Sequence, residues 1–280
     1  MKWAIAGEVL SIGSRPLVMG IVNVTPDSFS DGGRYLDSDA ALAHGLELAA
    51  QGADILDIGG ESTRPGAAVV SVADEIGRVV PVIEALAKRT SIPLSIDTSK
   101  SEVARASLAA GARIVNDVTG LTGDPQMPAT IREFGAGVIV MHMQGTPATM
   151  QVNPHYENVV GEVAGFLERQ ISAACAAGLE SEQIALDPGI GFGKTSAHNR
   201  EIMMHLEVFQ RFGRPVCLGA SRKGFINHLV GADRPAERRL AGGLGLVCYA
   251  LARRGVQIVR VHDVEETRDA IAAFEKLAGL

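Results

Sequence analysis

The chain changes character within the stretch Met19-Gly-Ile-Val-Asn-Val-Thr-Pro-Asp-Ser-Phe-Ser-Asp-Gly-Gly33, where a short apolar run gives way to a polar, glycine-rich loop. Loops that follow the carboxyl ends of parallel strands carry the chemistry of α/β enzymes. The same transition recurs along the chain. The apolar runs end in polar residues at Asn23, Asp57, Asp97, Asn116, His142, Asp187, the Ser-Arg-Lys loop that begins at Ser221, Arg260 and His262. This recurrence predicts one site that collects the polar ends of many strands.

Eight short apolar runs rich in Val, Ile and Leu predict eight strands. They are too short for helices and mostly lack period-two alternation, as expected for strands covered on both faces. They span residues 17–23, 54–58, 93–97, 113–117, 137–142, 184–187, 215–219 and 257–261. Helical patterns lie between them. The clearest covers residues 72–88, with Ser71 and Asp74 spaced as in a capping box, and others cover residues 159–171 and the region after His262.

Strands alternating with helices leave two topologies, a closed (β/α)8 TIM barrel or an open doubly wound sheet. The number of strands favours the barrel. Residues 1–14 carry apolar residues around Gly7 and Gly13, which predicts an N-terminal β-hairpin that plugs the amino end of the barrel. No linker rich in Pro or Ser, charge run or low-complexity stretch divides the chain. We therefore expect a single α/β domain over residues 1–280.

Composition restricts the partners and the compartment. The formal net charge of -6 argues against a general nucleic-acid binder, which needs a basic face. Cys175, Cys217 and Cys248 are too widely spaced for a disulfide framework or a zinc site, so we expect reduced core thiols. The N-terminal residues lack the apolar region of a signal peptide, and no stretch has the roughly 20 apolar residues of a membrane span. These observations predict a cytoplasmic protein without a membrane partner.

A glycine-rich segment, Asp187-Pro-Gly-Ile-Gly-Phe-Gly-Lys-Thr195, resembles a nucleotide-binding loop at first sight. The Walker A pattern G-x-x-x-x-G-K-[ST] requires glycine five residues before Gly193, and this chain has Pro188 there. The glycines also do not form G-x-G-x-x-G. The segment is therefore interpreted as a strand-to-helix turn and not as a triphosphate site.

Taken in order, the junctions closely resemble those of dihydropteroate synthase, and the similarity covers nearly the whole chain. The motifs that carry it are Asn23-Val-Thr-Pro-Asp-Ser-Phe-Ser-Asp-Gly-Gly33, Asp57-Ile-Gly-Gly-Glu-Ser-Thr-Arg-Pro-Gly66, Ser95-Ile-Asp-Thr98, Val115-Asn-Asp117, Met141-His-Met143, Asp187-Pro-Gly-Ile-Gly-Phe-Gly-Lys194, Ser221-Arg-Lys-Gly224 and Ile258-Val-Arg-Val-His262. The resemblance implies a barrel enzyme that transfers a pterin methylene from its diphosphate to p-aminobenzoate in folate biosynthesis. It also implies that pyrophosphate is released with Mg²⁺.

Four residues suit the pterin ring that the resemblance implies. A carboxylate can accept two hydrogen bonds from the guanidine-like edge of a pterin, and Asp187 is the candidate. Asp97 and Asn116 would pair with the remaining edges, and Lys223 would donate to a ring carbonyl or nitrogen. For any one of these acids alone, a helix cap or a turn is the competing interpretation. Their convergence at barrel strand ends favours the site.

The diphosphate calls for cations and a metal ion. Arg260 offers a planar fork and His262 a second donor on the same strand side, and both are assigned with Lys223 to catalysis. Ser221 belongs to the same substrate-binding set. Asn23 would hold Mg²⁺ through its amide oxygen, with phosphate and water completing the shell. The alternative is that Arg260 and His262 form a structural ion pair with Asp263.

By resemblance, the mechanism is dissociative, and two loops, Thr25 to Gly33 and Gly59 to Ala67, would exclude water from the pterin cation. The substrate-binding residues expected there and on the later glycine-rich turn are Phe29, Thr63, Arg64, Pro65 and Phe192. The arylamine nucleophile is neutral near pH 7, so no catalytic triad is expected. His142 is interpreted as a hydrogen-bonded buried histidine.

Other interpretations remain open at this point. A pterin-binding module of the corrinoid methyltransferase type shares the fold, although it has no diphosphate to bind. A catalytically silent, synthase-like subunit is the third possibility. The stretch Gly242-Gly243-x-Gly245 would permit close helix packing, and a homodimer is the expected assembly.

Overall fold

The computed structural model describes residues 1–24, 34–63 and 66–279. These described residues contain ten strands: β1 Lys2–Ile5, β2 Glu8–Ser11, β3 Leu17–Asn23, β4 Ile55–Gly59, β5 Leu94–Asp97, β6 Ile114–Asp117, β7 Gly137–Met141, β8 Ile184–Asp187, β9 Cys217–Leu218 and β10 Ile258–Val261. The same part of the chain contains nine α-helices: α1 Arg34–Ala50, α2 Val72–Ala87, α3 Ser101–Ala109, α4 Met127–Phe134, α5 Val159–Ala176, α6 Ser196–Met204, α7 Phe225–Val230, α8 Leu240–Ala252 and α9 Val264–Ala278. All eight predicted barrel strands are present, and the predicted strand 215–219 is shortened to two residues.

The eight strands β3 to β10 form one parallel sheet in the order β8-β7-β6-β5-β4-β3-β10-β9. A parallel bridge between Leu186 and Val216 joins the two ends of this order, and Leu186 N donates to Pro215 O at 2.8 Å. The sheet is therefore closed into a barrel with helices outside it. The open doubly wound alternative is excluded, and the predicted (β/α)8 fold is confirmed.

The N-terminal hairpin β1–β2 closes the amino end of the barrel, as predicted. Its Trp3 and Ile5, together with Ile12, are buried against the lowest inward-facing side chains of the strands. That cluster also contains Met19, Ile55, Ile114, Ile139, Ala185, Cys217 and Ile258. Trp3 Nε1 donates to Gln183 O at 2.8 Å. Burying each large apolar side chain contributes about 1.5–3 kcal/mol, so this end of the barrel is a packed core.

The helix predicted at residues 72–88 is α2, and its N-terminus has the expected cap. Ser71 Oγ accepts from Asp74 N at 3.1 Å, which satisfies one of the unpaired amides of the first turn. Val79, Ile83 and Leu86 are fully buried against the outside of the barrel. Within residues 1–24, 34–63 and 66–279, no helix is long and apolar enough to cross a bilayer.

Alternation along the strands separates two layers inside the barrel. Residues two apart on a strand share a face. In each strand, the residue two positions after the one that packs against the N-terminal hairpin therefore also points inward. It lies one layer nearer the carboxyl end of the barrel. Those positions hold Ile21, Asp57, Asn116, Met141, Asp187, Gly219 and Arg260. The barrel interior is thus apolar at its amino end and rich in charged groups at its carboxyl end.

Candidate active site

The polar layer and the residues around it form one site at the carboxyl end of the barrel. Strand register places Asp97 beside Asn116 on one flank and Asp187 beside Met141 on the other. Gly219 lies between the two flanks. A Cβ built there would lie 3.6 Å from Asp187 Oδ2 and 4.0 Å from Arg260 Cδ. The side chains expected to share one cavity therefore converge on the same rim.

Arg260 is the centre of the charge network. Its Nε donates to Asp57 Oδ2 at 2.6 Å, and its Nη2 donates to Asp97 Oδ2 at 2.7 Å. Asn116 Nδ2 donates to the same Asp57 oxygen at 3.1 Å. One guanidinium and one carboxylate thus orient both Asp97 and Asn116. The competing interpretation, an ion pair between Arg260 and Asp263, is wrong, because Asp263 pairs with Arg222.

The network shifts the protonation equilibria of its members. Burial raises the pKa of Asp97 to about 7, against the opposing attraction of Arg260, and the negative charges of Asp57 and Glu75 add to the rise. Burial disfavours the charged guanidinium, but Asp57 and Asp97 together raise the pKa of Arg260 above its ordinary value. Arg260 therefore stays charged while Asp97 titrates close to neutral pH.

Asp187 and Lys223 form the second charged pair of the site. Burial raises the pKa of Asp187, and the positive charge of Lys223 opposes that rise. Burial lowers the pKa of Lys223 to about 8, and Asp187 opposes this change in turn. Lys223 Nζ lies 4.2 Å from the ring centroid of Phe192 and donates to Ile190 O. The ammonium is therefore held over an aromatic face by the glycine-rich turn.

His262 and Ser221 meet at the edge of the same rim. Ser221 Oγ and His262 Nδ1 are 3.0 Å apart, and His262 N donates to Ser221 Oγ at 3.3 Å. Between Ser221 and Lys223, Arg222 has a φ of 59°. This left-handed conformation is costly for a residue with a Cβ. The ion pair of Arg222 with Asp263 holds it in place.

Of the remaining residues predicted from the sequence, some are described in the structure and others are not. Asn23 is exposed at the end of β3, in register with Gly59, which is in turn in register with Asp97. Thr63 is half-buried at the end of a described range. The expected substrate contacts Phe29, Arg64 and Pro65 lie outside the described residues. No group of three His, Cys, Asp or Glu able to hold a metal is found in the described part of the chain.

Sequence reasoning assigned no role to Asp57, although it noted the residue as a strand end. The side chain is fully buried, and its Oδ1 has no hydrogen-bond partner among the described residues. A buried carboxylate requires pairing, which Arg260 and Asn116 provide at Oδ2. The signal that could have identified it is its position two residues beyond Ile55, on the inward face of its strand.

Lys194 is the second residue whose position sequence reasoning did not anticipate. Its Nζ is buried and contacts Gly189 O at 2.9 Å, Phe192 O at 3.0 Å and His142 Nδ1 at 2.9 Å. Burial lowers the pKa of Lys194, while Asp187 opposes the shift. Burial, with help from Lys194, lowers the pKa of His142 to about 3. The prediction of a buried, hydrogen-bonded His142 is confirmed, and the lysine of the false Walker motif holds the turn that carries Phe192.

A barrel with this polar rim is the frame of a pterin-binding enzyme, and the comparison with known families agrees. Residues 19–262 match the family described as pterin binding enzyme, and the chain belongs to this family.

Within it, the chain belongs to the dihydropteroate synthases. It is 46% identical to dihydropteroate synthase of Escherichia coli strain K12 over 275 residues, which cover 98% of this chain and 96% of the relative. Identity to the enzyme of Neisseria meningitidis serogroup C is 47%, over 94% of this chain and 93% of the relative. Among solved structures, the Xanthomonas albilineans dihydropteroate synthase with 4-aminobenzoic acid superimposes with a TM-score of 0.92 at 46% identity, covering all of both chains. The same enzyme in complex with 7,8-dihydropteroate gives a TM-score of 0.89 at 44% identity, again over all of both chains.

Proposed function

We propose that this protein condenses 6-hydroxymethyl-7,8-dihydropterin diphosphate with p-aminobenzoate to give 7,8-dihydropteroate and pyrophosphate, a step of folate biosynthesis. The observation that carries the proposal is the convergence of Asp97, Asn116, Asp187 and Lys223 around Arg260 on one rim. The relatives named above are all dihydropteroate synthases. This favours the synthase over the corrinoid methyltransferase alternative.

Hydrogen bonds to two opposite edges of the ring recognise the pterin. Asp187 accepts two N–H groups of the guanidine-like edge, and Lys223 donates to a ring oxygen or nitrogen next to it. Asp97 and Asn116 bind the opposite edge from neighbouring strands, where their register already aligns them. Because Asp57 and Arg260 orient this second pair, the acceptors are in place before the ligand arrives.

Departure of the diphosphate is driven by positive charge. The Nε and Nη2 atoms of Arg260 are bound to carboxylates, so we assign the Nη1 edge to the diphosphate. His262 and Ser221, 3.0 Å apart through Nδ1 and Oγ, supply further donors at the rim. As the C–O bond breaks, these groups stabilise the negative charge that develops on the leaving oxygens.

The residues present fit Mg²⁺ as a partner of the diphosphate. The amide oxygen of Asn23 is a hard ligand on the same rim as Asp97, and Mg²⁺ retains waters and needs few protein ligands. When bound, Mg²⁺ would neutralise charge on the leaving group. Removal of metal with a chelator should then abolish pyrophosphate release. Asn23→Ala should raise the Mg²⁺ concentration required, by about tenfold or more.

Attack by the arylamine needs no general base, since a neutral aromatic amine carries a free electron pair. The reaction proceeds by loss of diphosphate to a pterin cation, followed by addition of the amine nitrogen, whose surplus proton passes to the released pyrophosphate. Phe192, held beside Lys223, packs against the aryl ring, and Thr63 reaches the diphosphate from the β4–α2 connection. Phe29, Arg64 and Pro65 complete the proposed substrate contacts. Shielding of the cation from water prevents its hydrolysis.

A homodimer in the cytoplasm is the proposed state of the protein. Leu229 and Val230 on α7 and Tyr249 on α8 are exposed to 42%, 40% and 40%, and Ala241 and Gly245 extend the exposed face of α8 at four-residue spacing. Gly242 has a different use, because a Cβ there would lie 2.5 Å from Ile226 Cγ2 of the same chain. The cytoplasmic location is supported by the free thiols at Cys175, Cys217 and Cys248, although only Cys217 is the buried core thiol expected, since Cys175 is exposed and Cys248 is half-buried.

The deciding experiment is an assay with purified protein. Pterin diphosphate, p-aminobenzoate and Mg²⁺ are supplied, and pyrophosphate release and dihydropteroate formation are measured together. Equal amounts of both products are expected. Pterin binding without either product would identify the silent-subunit alternative and overturn the proposed activity.

A further inference from the structure

Both ends of the connection between β4 and α2 converge on the half-buried ammonium group of Lys100. The connection runs over residues 60–71, and its described ends are residues 60–63 and 66–71. Lys100 Nζ donates to Glu61 Oε2 at 2.8 Å, near one end, and to Val70 O at 2.7 Å, near the other. Its third bond goes to Glu75 Oε2 at 2.6 Å, in the first turn of α2. All three protons of the ammonium are therefore used.

Glu61 also links the two ends of the same connection. Its Oε1 accepts from Val70 N at 2.8 Å, so the carboxylate bridges Lys100 and the backbone nine residues further on. Gly60 is pressed against α2, since a Cβ at this position would lie 2.7 Å from Val79 Cγ1. Arg78 Nη1 also donates to Gly60 O at 2.8 Å. The start of the connection is consequently held by the contacts of Glu61, Gly60 and Arg78.

The ammonium of Lys100 keeps its charge within this cluster. Glu75 is fully buried, and a buried carboxylate is tolerated only with a close partner. Burial works against the charged Lys100, but its hydrogen bonds to Glu61 and Glu75 raise its pKa above the ordinary value. Lys100 therefore remains a cation at every pH at which the site works. Its contribution is structural and electrostatic, without proton transfer.

The cluster lies next to the pterin site without belonging to it. Lys100 is three residues beyond Asp97 on the β5–α3 connection, and Glu75 is among the negative charges that raise the pKa of Asp97. Gly59 precedes the β4–α2 connection. A Cβ built on Gly59 would lie 3.5 Å from Asp97 Cβ. Thr63 follows Glu61 by two residues. The same ammonium thus ties the strand end that carries Asp97 to the connection that carries Thr63.

We propose that Lys100 is a positioning residue: through Glu61 and Val70 it fixes the described ends of the β4–α2 connection, residues 60–63 and 66–71, beside the pterin site, and so determines how well Thr63 contacts the diphosphate. The proposal deepens the proposed function and rests on it. Because Asp97, Asn116, Asp187 and Lys223 bind the pterin directly, Lys100 acts on the diphosphate and arylamine side of the site.

The test compares Lys100→Met with Lys100→Arg, and uses Lys88→Met as the matched control. Lys88 is exposed at the end of α2. In Lys100→Met, amide hydrogen exchange at residues 61–63 and 66–70 should rise about tenfold or more, with Val70 most affected because its N–H loses a fixed acceptor. The kcat/KM should fall about tenfold or more, while pterin affinity measured by calorimetry stays within about threefold. Lys100→Arg should recover part of both effects, since it keeps the charge and can bridge two carboxylates.

Three outcomes would overturn the inference. They are unchanged exchange at residues 61–63 and 66–70 in folded Lys100→Met, a loss of pterin affinity equal to the loss of kcat/KM, and equal effects in Lys88→Met. If Lys100→Met does not fold, Glu61→Ala tests the same closure from a partly exposed position and should show the same exchange pattern. Exchange is measured without turnover. An inactive wild-type protein would therefore contradict the proposed function and still leave the exchange result to decide the role of Lys100.

Discussion

Arg260 Nε and Asp57 Oδ2 lie 2.6 Å apart at the floor of the site. This contact joins residues that are 203 positions apart in sequence. Asp57 also receives Asn116 Nδ2, and Arg260 also binds Asp97. One buried carboxylate therefore orients three groups that are proposed to meet the substrate. Asp57 is expected to matter for catalysis without touching either substrate.

Asp57→Asn tests this expectation with little change in volume. The variant should lose about tenfold or more in kcat/KM and about 1–3 kcal/mol of unfolding free energy, because a charged partner of Arg260 is removed. Steady-state kinetics and chemical denaturation measure the two effects. Asp54→Asn is the control, since Asp54 pairs with Arg268 near the amino end of β4. It should leave kcat/KM within about twofold. Equal kinetics in both variants would contradict the role of Asp57.

The pH dependence of kcat/KM should be bell-shaped with a maximum between the pKa values of two site residues. Asp97, with a pKa raised to about 7, must be ionised to accept a pterin N–H, so activity falls as the pH drops below that value. Lys223, with a pKa lowered to about 8, must be protonated to donate, so activity falls again above it. Rates measured from about pH 5.5 to about pH 9.5 define both limbs.

Two variants assign these limbs. Lys223→Arg keeps its charge throughout this range, so the alkaline limb should disappear even if the maximal rate is lower. Asp97→Asn no longer titrates, so any remaining activity should lack the acid limb. An alkaline limb that persists unchanged in Lys223→Arg would remove Lys223 from the interpretation.

Lys194→Met should destabilise the protein and mainly affect the glycine-rich turn. The substitution keeps the length of the side chain but leaves the carbonyls of Gly189 and Phe192 without their buried donor. We expect a loss of about 2 kcal/mol or more in unfolding free energy, measured by denaturant titration. Lys276→Met, at an exposed position of α9, should change stability by about 0.5 kcal/mol at most. A similar small loss in both variants would show that the cluster contributes little.

The stability that His142 contributes should be lost as the pH decreases from about 6.5 toward 3. The pKa of His142 is lowered to about 3 in the folded state, whereas the unfolded chain binds a proton near pH 6.5. The unfolded state therefore holds the extra proton within this window, and its relative stability increases as the pH falls. The stability of the wild-type protein relative to His142→Gln should therefore decrease through this window, because the raised pKa of Asp97 affects both proteins equally. Denaturation midpoints at several pH values measure the difference, and identical curves would contradict it.

Replacing Tyr249 with arginine should shift the assembly toward monomer if the exposed face of α7 and α8 joins two copies. A charge placed among Leu229, Val230 and Tyr249, which are each at least 40% exposed, would have to be buried without a partner. Sedimentation of the wild-type protein at micromolar concentration should show a dimer, and the variant should dissociate more readily. A wild-type protein that sediments only as monomer would contradict the assembly.

The sequence by itself determined the order of strands and helices, the closure of the barrel and the rim on which the site lies. These follow from local patterns: short apolar runs, Ser71 as a cap, and polar residues such as Asp97 and Asp187 at strand ends. The parallel arrangement then places all strand ends together.

Only the tertiary structure decided which of these polar residues contact one another. The pairing of Arg260 with Asp57 and Asp97, the cage around Lys194 and the closure at Lys100 each join residues from separate connections. Such contacts depend on side-chain reach and on barrel register, and burial then sets their energies by requiring a partner for every charge. A pattern read along one strand contains none of this information.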